Sequence, residues 1–166
     1  QLWRAINGLK GDHSTRHAVV ITWDIERDNY GQVRQKNVPC PVMFTLNVTG
    51  GRLHMHVVVR SNDMVLGFPT DVAGFALLQS MIAQDMGLRP GVYTHSISNC
   101  HYYVNQEEAV ATMLKREPNG LKVQLELPEK SIERARKLDE TLIDEIRLGI
   151  FQYEPHDAIR GIPIAI

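Results

Sequence analysis

The chain has 166 residues, of which 43% are hydrophobic and 22% charged, and its formal net charge is −1. This composition is typical of a folded globular domain with a sizeable core, and it gives no reason to expect a nucleic acid as partner. No apolar run approaches the roughly 20 residues that span a bilayer, and two cysteines fit a reducing compartment, so we expect a cytoplasmic protein without a membrane segment.

The N-terminal part of the chain is predicted to contain a helix followed by three strands. Apolar side chains recur on one helical face of residues 2–10, and Gly11 ends that pattern. The three predicted strands are residues 17–23, 42–48 and 53–60. Residues 24–39 are polar and carry a turn signal, which favours a surface loop or hairpin. Gly50 and Gly51 separate the last two strands, and such a pair is typical of a tight antiparallel hairpin.

The C-terminal part alternates helices with short strands. Nearly every position of residues 72–86 is apolar or small, which predicts a buried helix. The further predicted elements are a strand over 93–103, a helix over 106–116, a strand over 121–127 and a charged helical region over 128–148. Residues 151–166 end in an apolar run that we expect to be docked rather than frayed. Residues 1–166 thus predict one domain of mixed α and β type. Because the helical pattern is already present at Gln1, we expect a longer chain or one trimmed at its N-terminus.

The stretch over residues 57–71 combines a strand end, a turn and several polar groups. Alternation with period two places four apolar side chains on one face of the strand, namely Leu53, Met55, Val57 and Val59. Arg60 lies at the strand end, where a rigid sheet can aim its guanidinium at an anion. Gly67 and Pro69 are expected to lead the chain into the apolar helix. Asp71 then falls in the first turn of that helix or just before it, where a carboxylate can cap free N–H groups.

Cys40 is a candidate nucleophile. It lies between Pro39 and Pro41, which fix the backbone on both sides and remove neighbouring N–H donors. The alternative is a small buried hydrophobic side chain. A cationic group nearby, such as Arg60 or Arg16, would favour the reactive thiolate over the inert thiol.

Other polar residues have both a functional and a plain structural interpretation. His54 and His56 share a strand face as two metal ligands could, but no residue at suitable spacing completes the set, so we expect a partly exposed strand face and no metal. His101 and Tyr103 are aligned either as a pair that binds a polar ligand or as a satisfied core pair. Cys100, in the middle of a predicted strand, competes as a nucleophile but is expected in the core.

Six short motifs occur in order along the chain. They are Pro39-Cys40, Arg60-Ser61-Asn62-Asp63, Leu66-Gly67-Phe68-Pro69, Cys100-His101-Tyr102-Tyr103 followed by Asn105, Lys115-Arg116-Glu117-Pro118 and Pro163-Ile164-Ala165-Ile166. Together they resemble thymidylate synthase and its relatives, the pyrimidine nucleotide hydroxymethylases. The resemblance implies an α/β (α+β) thymidylate synthase-like fold, with a mixed, mostly antiparallel sheet flanked by helices. Residues 1–166 would be the C-terminal two thirds of that fold, with its N-terminal part missing.

The resemblance implies a folate-dependent one-carbon transferase acting on C5 of a pyrimidine nucleoside monophosphate. Cys40 would attack C6, and the activated C5 would take a one-carbon unit from 5,10-methylenetetrahydrofolate. The family forms an obligate homodimer packed sheet to sheet, in which Arg16, otherwise a solvated loop residue, would reach the phosphate of the neighbouring subunit's site. The family's N-terminal third brings a Glu general acid/base that is not in this sequence, so we do not expect full turnover from residues 1–166 alone.

The site residues implied by the resemblance fall into three groups. The catalytic group is Cys40, Arg60 and Asp63. The substrate-binding group is Arg16, His17, Arg60, Ser61, Asn62, Asp63, Asp71, His101 and Tyr103. The folate-binding group is Asp63, Ala165 and Ile166. In these roles Arg60 and Ser61 would hold the 5′-phosphate, Asp63 would meet the pterin, and His101 and Tyr103 would contact the base and the sugar.

Several positions depart from the family pattern, among them Pro41, Asn99 and Thr70, and two of the departures, His17 and Asp71, bear on substrate binding. His17 stands where the family usually has a second phosphate-binding Arg, and a histidine can be uncharged near neutral pH. Asp71 stands where thymidylate synthases have Asn. Cytosine presents a 4-amino donor beside an N3 acceptor, and a carboxylate is a natural partner for that amine. Asp71 and the run over residues 61–63 resemble deoxycytidylate hydroxymethylase, so we expect a (deoxy)cytidylate 5-hydroxymethylase. The alternatives are a thymidylate synthase acting on dUMP and a nucleotide-binding remnant without catalysis.

Overall fold

The computed structural model describes residues 1–28 and 38–164, and its centre is a four-stranded sheet with helices packed on one face. The helices are α1 (Leu2–Gly11), α2 (Ile25–Asp28), α3 (Gly67–Asp85), α4 (Glu107–Leu114), α5 (Ser131–Arg136) and α6 (Leu142–Leu148), with a 3₁₀ turn at Val104–Gln106. The strands are β1 (Val19–Ile21), β2 (Pro41–Thr49), β3 (Arg52–Val59), β4 (Asn62–Asp63), β5 (Arg89–Ile97), β6 (Cys100–His101), β7 (Gln124–Leu125) and β8 (Ile150–Phe151).

The main sheet has the strand order β1-β2-β3-β5. The first two pairings are antiparallel and the last is parallel. The β2–β3 hairpin turns at Gly50 and Gly51, whose φ angles are +58° and +69°. Glycine adopts such angles without steric cost, which is why this pair can close a tight hairpin. The hairpin and the mixed, mostly antiparallel sheet flanked by helices confirm the predicted fold class.

Strand β3 is anchored by its inward face. Its four alternating apolar side chains, Leu53, Met55, Val57 and Val59, are each at most 1% exposed. They pack with apolar residues of α1 and α3, among them Ile6, Leu9 and Ile82. Burial of one such side chain stabilises the fold by roughly 1.5–3 kcal/mol. The predicted alternation is therefore confirmed, and the rigid strand fixes the position of Arg60 just beyond its end.

Helix α3 begins earlier than predicted, at Gly67. Pro69 is tolerated in its first turn because the N–H that proline lacks would have no helical partner there. Asp71 therefore lies in the second turn, and the predicted capping role of Asp71 is wrong. Two backbone N–H groups just before the helix donate instead to Oδ1 of Asp63, at 2.8 and 3.3 Å.

The predicted strand over residues 93–103 is two strands, because the chain changes its pairing partner between them. After β5, the Asn99 N–H donates to the Arg60 carbonyl at 3.2 Å, and the Asn62 N–H donates to the Asn99 carbonyl at 2.9 Å. Strand β6 then pairs in parallel with β4. The two segments that carry the predicted site motifs are thus hydrogen-bonded to each other.

The rest of the chain is less regular than predicted. The loop over 24–39 contains α2 and continues into residues outside the described ones, the strand over 121–127 is reduced to β7, and the region over 128–148 splits into α5 and α6. Arg134 fixes the corner between these two helices, because its guanidinium bonds to Asp139 at 2.7 Å and to Glu145 at 2.6 Å. This corner interrupts the helical period that the sequence shows. Across the described ranges, no helix combines the length and apolar character needed to cross a membrane.

Residues 152–164, which we call the tail segment, are held by hydrogen bonds more than by apolar burial. Asn119 Nδ2 donates to the Glu154 carbonyl at 2.8 Å, and Gln106 Nε2 donates to the Pro163 carbonyl at 3.3 Å. Ile164 is 76% exposed. The docking expected for this segment is therefore polar, whereas the sequence suggested an apolar contact.

Candidate active site

The structure brings Cys40 and Arg60 together at the ends of β2 and β3. The Arg60 N–H donates to the Cys40 carbonyl at 3.0 Å. The Arg60 side chain donates from Nε to the Pro39 carbonyl at 3.0 Å and from Nη2 to the Val38 carbonyl at 3.2 Å, and it stacks over Trp23 at 5.2 Å. Arg60 thus holds the segment that carries the half-buried Cys40 in place by hydrogen bonds. A guanidinium has five N–H groups, so it retains donors for an anion such as a phosphate.

Asp28 is a buried carboxylate near Arg60, and no feature of the sequence had marked it as part of the site. Asp28 is 6% exposed. Its pKa is held below the ordinary value, first by the Asp24 N–H, which donates to Oδ2 at 3.0 Å, and then by Arg27, which donates to Oδ1 at 3.1 Å. The positive charge of Arg60 acts in the same direction. Asp28 is therefore an ionised carboxylate that the Arg60 charge also stabilises, while its hydrogen bonds go to Asp24 and Arg27.

Cys100, the competing nucleophile, is exposed. It lies in β6 and pairs with Asn62 in β4. The expectation that Cys100 belongs to the core is wrong, because β6 is a short edge pairing outside the main sheet. Neighbouring His101 is oriented by Asn99, whose Oδ1 lies 2.8 Å from His101 Nδ1. An amide oxygen only accepts, so Nδ1 donates in this contact, and Nε2 is left for a hydrogen bond with a ligand.

Asp71 is the end point of a chain of four hydrogen-bonded side chains. Asn62, which is 1% exposed, donates from Nδ2 to Asp71 Oδ2 at 2.9 Å. Asn62 Oδ1 lies 3.0 Å from His95 Nε2, and His95 Nδ1 lies 2.7 Å from the Tyr93 hydroxyl. No motif in the sequence pointed to His95 and Tyr93. Their alternation along β5 indicated only that both side chains lie on the inward face of the sheet, the face that also carries Val57 of β3.

Asp71, at the end of this chain of hydrogen bonds, determines which group donates and which accepts in each bond. A carboxylate only accepts, so the Asn62 amide must turn its NH₂ towards Asp71 and its oxygen towards His95. His95 must then carry its proton on Nε2, and Nδ1 of the neutral ring accepts from the Tyr93 hydroxyl. Each hydrogen bond is therefore donated in the direction of Asp71. The bond from Asn62 is the last of them, and it holds the Asp71 carboxylate in place as an acceptor.

The titration behaviour of the chain agrees with that direction. Burial lowers the pKa of His95, against a smaller opposing effect of the Asp71 charge, so the ring is neutral near pH 7. Burial raises the pKa of Tyr93 to about 12, and the Asp71 charge adds to this rise, so the hydroxyl keeps the proton that it donates. Phe68, at the start of α3, meets the His95 ring edge-on at 5.4 Å between centroids and helps to exclude water from it.

Asp63 is held by three donors. Its Oδ1 accepts the two backbone N–H groups before α3, and its Oδ2 accepts from Gln106 Nε2 at 3.0 Å. The carboxylate retains lone pairs, so it fits the amide and amino donors of a pterin ring. Tyr103 follows strand β6 and forms an edge-on aromatic pair with His101, with 5.1 Å between the ring centroids. Ala165 and Ile166, the other predicted folate-binding residues, lie outside the described residues.

Arg16 and His17 are placed away from this cluster. Both are exposed and precede β1, whose register pairs Val19 with Thr45. That register puts them beside the Gly50 end of β2, whereas Cys40 lies at the other end. At about 3.3 Å per residue, the strand separates the two ends by roughly 20 Å. A phosphate role for Arg16 in this chain's own site is thus excluded, and its predicted role in a neighbouring subunit's site stays a prediction.

His54 and His56 lie on the face of the sheet opposite the helices. His54 Nδ1 accepts the Val92 N–H at 3.0 Å, and His56 Nε2 lies 2.8 Å from the Ser96 hydroxyl. Within residues 1–28 and 38–164, no group of three or more His, Cys, Asp or Glu side chains is arranged to hold a metal ion. The described part of the chain therefore offers hydrogen-bonding rather than metal-ligating roles for these two histidines.

Comparison with known families agrees with this geometry. A family model described as thymidylate synthase matches residues 1–165. The matched range includes the Cys40 segment gripped by Arg60 and the paired strands β4 and β6 with Asp63 and His101. It also includes the second turn of α3, where Asp71 receives its bond from Asn62.

Proposed function

Because the chain belongs to the thymidylate synthase family, we propose that it is a cytidylate 5-hydroxymethylase acting on CMP or dCMP. The coarser chemistry follows from the family: folate-dependent transfer of a one-carbon unit to C5 of a pyrimidine nucleotide, with methylenetetrahydrofolate as co-substrate. The proposal adds the base, cytosine, and the fate of the transferred carbon, a hydroxymethyl group.

The observation that carries the choice of base is the orientation of Asp71 as an acceptor. The Asn62 NH₂ occupies Oδ2, which leaves Oδ1 to accept from a ligand. The 4-amino group of cytosine is a donor and complements that oxygen, whereas O4 of uracil is an acceptor and would face it unpaired. An unpaired buried polar group costs about 1–3 kcal/mol, which is on the order of 5- to 150-fold in binding.

The residues of this chain divide the chemistry as follows. Cys40, as thiolate, adds to C6 of the base, and the electron pair moves to C5, which becomes the nucleophile. Methylenetetrahydrofolate supplies the one-carbon unit when it is bound. Arg60 and Ser61 hold the 5′-phosphate and Arg60 keeps positive charge beside the thiolate, while Asp63 orients the pterin. Loss of the C5 proton with departure of tetrahydrofolate would leave an exocyclic methylene on C5. Water then adds to this methylene to give the hydroxymethyl group, and release of Cys40 from C6 restores the aromatic base.

The proposal also includes a homodimer packed through the outer face of the main sheet. Apolar residues on this face are exposed, including Val19 at 38%, Ile21 at 50% and Val92 at 62%. A second copy would cover them and bring its own Arg16 towards the phosphate site. Light scattering on the full-length protein would show twice the chain mass, whereas a monomer at micromolar concentration would refute this part.

The test of the proposed reaction uses full-length protein and two readouts. Calorimetry with CMP, dCMP, UMP and dUMP should show tighter binding of the cytosine nucleotides. Release of tritium from C5 of the preferred nucleotide, measured without folate, reports attack by Cys40 and should disappear in Cys40→Ser. Tight binding of dUMP with tritium release would instead identify a thymidylate synthase, and binding without release would identify a nucleotide-binding remnant.

A further inference from the structure

Gln106 lies between the Asp63 carboxylate and the tail segment. It is 1% exposed and ends the 3₁₀ turn before α4. Its Nε2 donates to Asp63 Oδ2 at 3.0 Å and to the Pro163 carbonyl at 3.3 Å, and its Oε1 accepts the Tyr103 N–H at 3.1 Å. Two distant parts of the chain, at Asp63 and at Pro163, thus meet on one carboxamide, which also accepts from its near neighbour Tyr103.

The chemistry of these partners requires a carboxamide. Asp63 and the Pro163 carbonyl are both acceptors, so the bridging group must offer two hydrogens from one atom, and the Tyr103 N–H needs an acceptor on the same side chain. Gln meets all three demands without a net charge. Glu has no donor and would place a second carboxylate against Asp63, and Met has the length of Gln but no strong hydrogen-bonding group.

We propose that Gln106 is a positioning residue that couples the orientation of Asp63 to the docking of the tail segment. When the tail segment is docked, the second N–H of Gln106 is satisfied and the amide plane is fixed, which holds Asp63 Oδ2 in one direction. When the tail segment leaves, that N–H loses its protein partner and the amide plane is no longer fixed. Docking of the tail segment and binding of a ligand to Asp63 therefore favour each other.

The coupling deepens the proposed function, because it rests on Asp63 as a contact of the folate co-substrate. Loss of one neutral hydrogen bond changes an equilibrium by about 2- to 13-fold, so changes of this size are expected in the affinity for folate and in the docking of the tail segment. The nucleotide is held by other residues, so its affinity should change less than either.

Gln79 provides a matched control. It is also a buried Gln, 3% exposed, and its Nε2 also donates to two carbonyls, those of Leu53 at 2.8 Å and Val92 at 3.3 Å. These contacts lie between α3 and the main sheet. Gln79→Met therefore removes the same groups from the fold without touching Asp63 or the tail segment.

The experiment compares Gln106→Met, Gln106→Glu and Gln79→Met in the full-length protein. Trypsin cleavage after the exposed Arg160, followed by mass spectrometry under native conditions, reports undocking of the tail segment. Kinetics report KM for methylenetetrahydrofolate and kcat separately, and calorimetry reports nucleotide affinity. We expect both Gln106 variants to be cleaved after Arg160 about 2- to 13-fold faster, with KM for folate raised by a similar factor and the larger effect in Gln106→Glu.

Gln79→Met should lower the melting temperature and leave the Arg160 cleavage rate and the folate KM unchanged. Equal acceleration of cleavage in Gln79→Met would show that Gln106 acts only through general stability and would overturn the proposal, as would wild-type cleavage in Gln106→Met. If the protein shows no folate-dependent turnover at all, the proposed function fails. Faster cleavage in both Gln106 variants would still establish that Gln106 holds the tail segment in its docked position.

Discussion

Replacing Asn62 by Asp tests the hydrogen-bond chain that ends at Asp71. The substitution is isosteric and keeps the oxygen that faces His95, but it replaces the NH₂ that faces Asp71 with a second acceptor. Two carboxylate oxygens would then meet at about the present separation of 2.9 Å. Like charges this close raise one pKa of the pair, so the site must take up a proton or suffer repulsion.

The magnitude follows from this one contact. A hydrogen bond to a charged group contributes about 1.5–3 kcal/mol. Two unit charges 2.9 Å apart repel by roughly 6 kcal/mol at an effective dielectric constant of about 20, which sets the upper limit before a proton is taken up. We therefore expect Asn62→Asp to reduce the free energy of unfolding by about 2–4 kcal/mol at pH 8. The loss should shrink towards pH 5, where the pair shares a proton.

Urea denaturation at pH 5 and pH 8 measures this difference. Asn7→Asp, on the exposed face of α1, is the matched control and should change the free energy of unfolding by less than about 0.5 kcal/mol. A loss in Asn62→Asp that is equal at the two pH values, or one below about 0.5 kcal/mol at pH 8, would refute the direction assigned to the chain.

Three further substitutions probe the same hydrogen-bond network. Because the pKa of His95 is lowered in the folded protein, the unfolded chain binds a proton near pH 6.5 while the folded one does not. Stability should therefore fall as the pH drops below about 6.5. Urea midpoints measured across this range should depend less on pH in His95→Gln. The raised pKa of Tyr93 predicts stability that falls as the pH rises from 10 to about 12, and Tyr93→Phe should reduce this alkaline loss in thermal melts. A Cβ at Gly67 would lie 3.1 Å from Asn62 Nδ2, so Gly67→Ala should weaken binding of the cytosine nucleotide in calorimetry, whereas Gly74→Ala, with open space around it, should not.

Local patterns predicted the elements that depend on local chemistry. The Gly50-Gly51 hairpin and the alternation of β3 were both correct, because turn geometry and burial on one face are written into neighbouring residues. The motif of Cys40 and that of Arg60 also led to one place, since both sit at the ends of paired strands.

The errors came from contacts between distant residues. Asp71 was expected to cap its own helix, but its partner Asn62 comes from the segment before the helix, and Asp63 takes the nearby N–H groups. Gln106 meets Asp63 across 43 positions of sequence. No local period marks such a pair, because the fold alone brings the two residues together. His95 was overlooked for the same reason, since its partner Asn62 lies on another strand.

Comparing the base preference of the wild-type protein with that of Asp71→Asn tests most directly whether Asp71 selects the base. Asn offers an NH₂ that can donate to O4 of uracil, so the ratio of the Kd values for dUMP and dCMP reports the group at position 71. We expect this ratio to favour dCMP in the wild type by about 5- to 150-fold and to move towards dUMP in Asp71→Asn. A wild type that binds dUMP more tightly, or a ratio that the substitution leaves unchanged, would contradict the role of Asp71 in choosing the base.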